Sequence, residues 1–574
     1  MKNNVAISRF KPARIGSCKD IVILLFLLTF LPAGGAAADS IDGVTAIMAR
    51  PVYPLLIRNP RGSLLRVTIH VGKFESSHLF LRNDVRLTSM SFRVDADDLG
   101  DLDSLELIST GESDDLITSR RGGSSRAQRP ILAAVGNPLH PAAAVTFYTN
   151  LLLQPGKNVF WLSTKLKHSA GLSHRISAAC SAIETSAGRL TPRDESPGVR
   201  HRIGVALRKE HDDGVDTYAI PALATTPAGT LLCVYDMRRR PPGHDLQDDI
   251  DTGLSRSTDG GRSWEPVRVI MDMGEYGGLP EELNGVSDPG IIVDRQTGEV
   301  FVFAVWMNGK RGHHQWVGDG SEPGYDIGKA AQFLMVRSRD DGRTWSKPEN
   351  LTRKLKKESW WLFAPSPQQG IQLSDGTLVM PVQGRLERGK ADSWGSFSTI
   401  MTSRDHGATW TVGTPAYSFA SESQAVELGD GSIMLNMRNE TEGDAYNYRA
   451  VFVTKDLGKT WHPHETNLNT LIEPNCNASL FRVDYLEAGQ KKHVLLFANP
   501  HSKVKRQRTN HSIQVSFDDG RTWPEDHRVL MDQGNGWGYP SISRIDDQHV
   551  GIVYGGSQAD IVFQVFSLDE LLKR

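Results

Sequence analysis

Residues 255–264 read SRSTDGGRSW. The stretch is polar and glycine-rich and closes on a tryptophan, so alone it marks a turn. Close variants return four times: VRSRDDGRTW ends at Trp345, TSRDHGATW at Trp410, VTKDLGKTW at Trp461 and VSFDDGRTW at Trp523. The hydroxyl residues that open the pattern, Ser257, Ser338, Ser403, Thr454 and Ser516, stand 81, 65, 51 and 62 residues apart. Strand-like runs (QFLMVRS, FSTIMTS, RAVFVTK, HSIQVSF) precede the last four. The aspartates (Asp259, Asp340, Asp405, Asp456, Asp518) can accept hydrogen bonds from N–H groups of their own turn. The glycine two residues later permits positive φ, and the tryptophan anchors the turn on apolar surface. The pattern is a hairpin corner, used once per unit of about 50–60 residues. Four-stranded units repeated radially build a β-propeller, which makes these aspartates structural and not catalytic.

Outside the repeats, residues 50–170 carry extended signals such as LLRVTIHV (64–71), SMSFRVD (89–95), AVTFYTNLLL (144–153) and NVFWLSTKL (158–166). They predict an N-terminal β-sandwich over 39–186. TSAGRLTPRDESPGVR (185–200) reads as the connection, with a linker at 187–200 and the propeller over 201–574. The fold class expected is therefore all-β.

Lys2, Arg9, Lys11, Arg14 and Lys19 precede IVILLFLLTFL (21–31), and Ala36–Ala38 supply a small-residue cleavage site. This is the pattern of a secretory signal peptide over 1–38, which implies a secreted or periplasmic chain with no membrane span once the leader is removed. Lys and Arg number 65 against 67 Asp and Glu, so no basic field points to nucleic acid. Beyond Cys18, the cysteines Cys180, Cys233 and Cys476 have no metal-ligand spacing and read as small buried apolar groups. Neither a metal nor a cofactor is expected.

The five corners are Asp-boxes, and with the stretches between them the chain resembles bacterial exo-sialidases over about residues 205–574. The resemblance implies a six-bladed propeller that hydrolyses terminal sialic acid from glycans. It implies that Arg238 in YDMR matches the second arginine of a triad, that Asp245 in HDLQ is the acid/base, and that Asp288 in VSDPG lies near the substrate's N-acyl pocket. Glu422 in SESQ matches the residue that activates the nucleophile, Tyr539 in GYPSI the nucleophile itself, and Arg438 and Arg508 the remaining arginines. The chemistry is coherent. Guanidinium forks suit the carboxylate on the anomeric carbon, and a neutral tyrosine with a glutamate base avoids the repulsion a carboxylate nucleophile would meet. Asp245 would protonate the departing oxygen and then deprotonate water.

Two positions depart from the family pattern. Where R-I-P is expected the chain has Ala219-Ile220-Pro221, and where a Glu should follow Tyr554 it has Gly555. In the family that Glu pairs with that Arg, so the pair is lost together. One arginine fewer weakens a carboxylate clamp by roughly 2–5 kcal/mol. Ala219 and Gly555 are expected to face each other, and restoring both as Arg and Glu to strengthen the clamp. Three functions fit: an exo-sialidase with a reduced clamp, a glycoside hydrolase on a different acidic or neutral sugar, or a catalytically weak carbohydrate-binding propeller. Retention of Asp245, Glu422 and Tyr539 favours the enzymes.

Overall fold

In the computed structural model the described residues are 40–573, apart from 42, 73–83, 117–130, 135–142, 242, 244, 247, 309–315, 317–319, 387–394 and 442–446. The expected signal peptide lies outside them. Six four-stranded blades carry the second part of the chain. The innermost strands are Thr217–Thr225, Asn284–Val293, Leu362–Pro365 with its continuation Ile371–Gln372, Ala420–Glu427, Ser479–Glu487 and Gly538–Arg544. Each runs antiparallel to a second strand, and that to a third: Leu231–Arg238 and Ile250–Ser257 in the first blade, His549–Gly555 and Ile561–Ser567 in the last. The ring closes because His201–Arg208, from the start of the propeller sequence, pairs antiparallel with the third strand of the sixth blade. Blade strands such as Leu231–Arg238 and Ser396–Ser403 are buried along their whole length, since neighbouring blades cover both faces. Such strands read as nearly continuous apolar and small residues, not as an alternation.

The five corners close alike. Ser257 Oγ donates to Asp259 Oδ1 at 2.8 Å and accepts from Gly261 N at 2.9 Å, while Asp259 accepts from Ser263 N at 2.9 Å. The same set recurs at Asp340, Asp405, Asp456 and Asp518. The tryptophans tie blade to blade. Trp264 meets Phe563 of the sixth blade at 5.2 Å, Trp410 meets Phe303 of the second at 5.3 Å, and Trp461 donates to Thr414 O at 3.0 Å. In the first blade Leu231 is in register with Ser257 and Arg238 with Ile250. The corner after Ser257 is thus about 23 Å along the strand from the rim that carries Arg238.

Ahead of the propeller, two sheets form a sandwich. One contains Val44–Ala49, Gly62–Val71, Gly156–Leu166 and Leu102–Gly111; the other contains Arg175–Thr185, Arg86–Ala96 and Ala144–Leu152. Val67, Ile69, Met90, Phe92, Phe160 and Ile183 fill the space between them. Residues 188–190 and 193–194, read as linker, are short strands paired with Ile183–Thr185 and with Ile47–Met48. Cys180, Cys233 and Cys476 are buried and free. Among the described residues no helix is long and apolar enough to cross a membrane.

Candidate active site

The rim opposite the corners is built on a repeated irregularity. The innermost strands break register between Ala219 and Ala222, Ser287 and Gly290, Ala420 and Ser423, and Gly538 and Ser541. Ile220, Asp288 and Tyr539 occupy three of these bulges with φ of 53°, 58° and 52°, and each directly precedes a proline. A residue before proline is normally extended, and positive φ is costly for bulky side chains. Bulges re-aim side chains, and strain of this kind collects at functional sites. The fourth blade's bulge holds Glu422.

Across the ring these bulges bring Tyr539 and Glu422 together. The Tyr539 hydroxyl donates to Glu422 Oε1 at 2.6 Å. Arg438 Nη1 donates to Glu422 Oε2 at 2.7 Å and to the Tyr539 oxygen at 3.2 Å. Arg508 lies over the tyrosine ring, its Cζ 5.2 Å from the centroid, with Nη1 on Trp537 O at 2.7 Å. Burial first, and the Glu422 charge next, lift the Tyr539 phenol well above its ordinary value. The phenol is therefore neutral at rest. Arg438 is held from behind: Glu440 Oε1 is 3.1 Å from Nε, and Asn475 Oδ1 accepts from Nη2 at 3.0 Å. Burial opposes ionisation of Glu440, but Arg438 and the Ser421 hydroxyl outweigh it and hold the carboxyl below its usual range.

A second group comes from the first and second blades. Arg238, in the sequence reading a member of the arginine triad, is not beside Tyr539 in the way Arg438 is. Its Nη2 is 3.0 Å from Asp236 Oδ2 and 3.6 Å from Asp245 Oδ1. Asp245 also accepts from Leu246 N at 2.7 Å and from Trp316 Nε1 at 3.2 Å, and its side chain is 32 % exposed, the most open carboxylate of the set. Asp236 takes the Ser287 hydroxyl at 2.7 Å and the Asp288 amide at 3.1 Å, which fixes the second bulge to the first blade. Burial raises Asp236 to about 6 against the pull of Arg238. Burial, then Glu422, push Asp288 well above the usual carboxylate range. Protonation of Asp288 would give the pocket a hydrogen-bond donor for a ligand oxygen.

The match to known proteins decides the family. Residues 216–553 match the BNR repeat-like domain, and residues 44–188 match the N-terminal domain of BNR-repeat neuraminidase. The chain belongs to the BNR-repeat neuraminidase family. It is 39% identical to a sialidase of Bacteroides fragilis over 460 residues, 80% of this chain and 82% of that one. A sialidase of Micromonospora viridifaciens is 34% identical over 351 residues, 60% of this chain and 50% of that one. The solved Hadza microbial sialidase Hz136 superposes with a TM-score of 0.77 at 33% identity, covering 91% of this chain and 99% of that one. This neuraminidase is accordingly a sialidase, a glycoside hydrolase for sialylated substrates.

At the family departure the neuraminidase holds something the sequence reading missed. Gly555 is in register with Gly538. A Cβ built on Gly555 would overlap the Cβ of Trp537 and come within 3.2 Å of its Cα and 3.3 Å of Gly538 O. The Trp537 side chain thus leaves directly over Gly555, and its indole ends 5.7 Å from the Arg238 guanidinium. Ala219 is fully buried, in one cluster with Ile220, Cys476 and Tyr539. The lost pair is not a neutral gap open to refilling, and the expectation that Arg and Glu could simply be put back needs correction. Asp236, Glu440, Asn475 and Trp537 were also not singled out from sequence. The recurrent AIP, SDP and GYP tripeptides at the starts of blades were the available signal for the bulges.

Proposed function

We propose that the chain is a retaining exo-α-sialidase that works through Tyr539. Glu422 takes the phenol proton, the freed oxygen attacks the anomeric carbon, and Asp245 protonates the departing glycosidic oxygen. In the second half-reaction Asp245 deprotonates water, which attacks the same carbon, the bond to Tyr539 breaks, and Glu422 returns its proton to the departing phenol oxygen. Arg438 and Arg508 form a two-arginine clamp for the substrate carboxylate. Arg238 positions Asp245 and braces it electrostatically. The observation that carries this reading is the 2.6 Å hydrogen bond from Tyr539 to Glu422, with Arg438 on both partners. The neutral phenol suits a site whose substrate brings a negative charge next to the attacked carbon.

The test is hydrolysis of a fluorogenic sialoside together with trapping by a 2,3-difluorinated sialic acid. A sialyl adduct is expected on the peptide that contains Tyr539. An adduct on another residue, or turnover that survives Tyr539→Phe, would overturn the assignment. Trp537, seated over Gly555, favours one second reading: hydrolysis by the same residues of a sugar whose acid group is placed differently. A panel of sialosides and uronides separates the two.

A further inference from the structure

Three second strands end in arginine at the active rim. Arg238 closes Leu231–Arg238 in the first blade, Arg385 closes Leu378–Arg385 in the third, and Arg438 lies one residue before the end of Ile433–Asn439 in the fourth. The first and last have carboxylate partners, Arg238 with Asp236 at 3.0 Å and Arg438 with Glu422 at 2.7 Å. Arg385 has none within 4 Å among the described residues. It is 6% exposed, yet its Nη1 reaches only Gly384 O at 3.0 Å and Gln383 Oε1 at 3.4 Å. Its Nε is buried without a hydrogen-bond partner. Burial pulls the guanidinium down to about 10, Glu440, Glu422 and Asp288 pull it back up, and Arg438 pushes it further down, all of them groups of the pocket just described. A buried cation without a partner is costly, and a buried N–H left unbonded is uncommon enough to need a reason.

The third blade stands across the ring from the sixth, which carries Tyr539, and next to the fourth, which carries Arg438. A sialoside with its anomeric carbon at Tyr539 and its carboxylate at Arg438 must extend over this side. In that sugar the ring oxygen alone separates the carboxylate-bearing carbon from the carbon that carries the trihydroxylated three-carbon tail. Carboxylate and tail therefore share one edge of the ring, and Arg385 of the third blade is close enough to Arg438 of the neighbouring fourth for their charges to act on each other. We propose that Arg385 is a specificity-determining residue that donates hydrogen bonds to the hydroxyl oxygens of this tail. The proposal rests on the sialoside reading of the site. Neutral hydroxyls satisfy a guanidinium without adding charge to a pocket already rich in carboxylates: Asp236, Asp245, Asp288, Glu422 and Glu440.

The test compares two fluorogenic sialosides, one intact and one whose tail has been shortened by two carbons with periodate and borohydride. A hydrogen bond to a charged donor is worth about 10- to 100-fold. The wild type should prefer the intact substrate by that factor. Arg385→Met should lose it on the intact substrate, through KM more than kcat, and be unchanged on the shortened one. Equal losses on both substrates, or no preference in the wild type, would overturn the proposal. If Arg385→Met does not fold, Arg385→Lys, which keeps the charge but not the fork, decides by the same comparison, with a reduced preference expected. If the wild type cleaves neither sialoside, the function proposed above fails separately. Calorimetric binding of intact and tail-shortened sialic acid then decides on Arg385: a preference for the intact sugar that Arg385→Met abolishes upholds the role, and any other result overturns it.

Discussion

Trp537 makes a sharp prediction about the missing arginine and glutamate. The perturbation is a set of proteins: Gly555→Glu, Ala219→Arg, their double, Trp537→Gly, which alone removes the offending Cβ, and the triple that combines all three. In Gly555→Glu the first added atom already overlaps the Trp537 Cβ, with the Trp537 Cα 3.2 Å and Gly538 O 3.3 Å away, so neither a rotamer change nor a flexible tip can relieve it. Overpacking of this kind costs about 1–3 kcal/mol. The new carboxylate would also lack its arginine, and an uncompensated buried charge adds about 3–5 kcal/mol. The double mutant supplies the arginine but leaves the overlap. Only the triple removes both objections. Relative to Trp537→Gly it adds one arginine to the proposed clamp, which is worth roughly 2–5 kcal/mol, or about 30-fold and upward in affinity.

The assay is KM and kcat on a fluorogenic sialoside, with the thermal midpoint of each protein. Gly555→Glu should be markedly less stable than wild type, the double should show no lower KM than wild type, and the triple should show a lower KM than Trp537→Gly. A Gly555→Glu protein as stable as wild type would refute the claim that Trp537 occupies the glutamate's space. A double mutant with improved KM would refute it as well.

Other outcomes follow from the same geometry. Tyr539→Phe should lower kcat on sialosides by at least about three orders of magnitude while the thermal midpoint stays close to wild type; retention of most activity would remove the nucleophile. Gly407→Ala, at a corner with φ of 81° where a Cβ would run into the Phe301 ring, should cost about 2–4 kcal/mol and leave KM unchanged. A change in KM there would mean that the corners are coupled to the site. Asp532 is buried, accepts from Ser557 Oγ at 2.7 Å, and is raised by burial to about 6. Its folded state holds a proton that the unfolded chain has released, so this contribution to stability is present below about pH 4 and lost as pH rises through about 6. Measured against Asp532→Asn, the wild type should therefore gain stability as pH falls from 7 to 4, and a flat difference would refute the shift.

The corners were legible because each is closed by its own residues. Ser257, Asp259, Gly261 and Ser263 bond to one another inside the turn, so the sequence window contains the whole cause. Only the tryptophan reaches outside, to Phe563 or Phe303 of another blade. The active rim is different in kind. Tyr539 and Glu422 are 117 residues apart and meet because two bulges in two blades point at one place. Nothing local to either residue encodes that meeting, so their pairing was reachable only through resemblance. The same resemblance placed Arg238 with the clamp, whereas Asp236, two residues away on its own strand, takes it toward Asp245.

The departures show where reading by resemblance stops. It identified that Ala219 and Gly555 break the pattern, but a missing side chain says nothing about what fills its volume. Interiors are close-packed, so the loss of two long side chains from a buried place requires a third group or a collapse. Here the filler over Gly555 is Trp537, which lies two residues before Tyr539 in sequence and in space spans from Gly555 of the sixth blade to Arg238 of the first. Its backbone carbonyl accepts from Arg508 at 2.7 Å, so the residue that fills the space of the missing pair also fixes one of the clamp's remaining arginines. Gly555 cannot take a side chain while residue 537 carries its Cβ over it, whereas the carbonyl that Arg508 uses belongs to the backbone and stays whatever residue stands at 537. Return of an arginine–glutamate pair at 219 and 555 therefore needs a change at 537 as well.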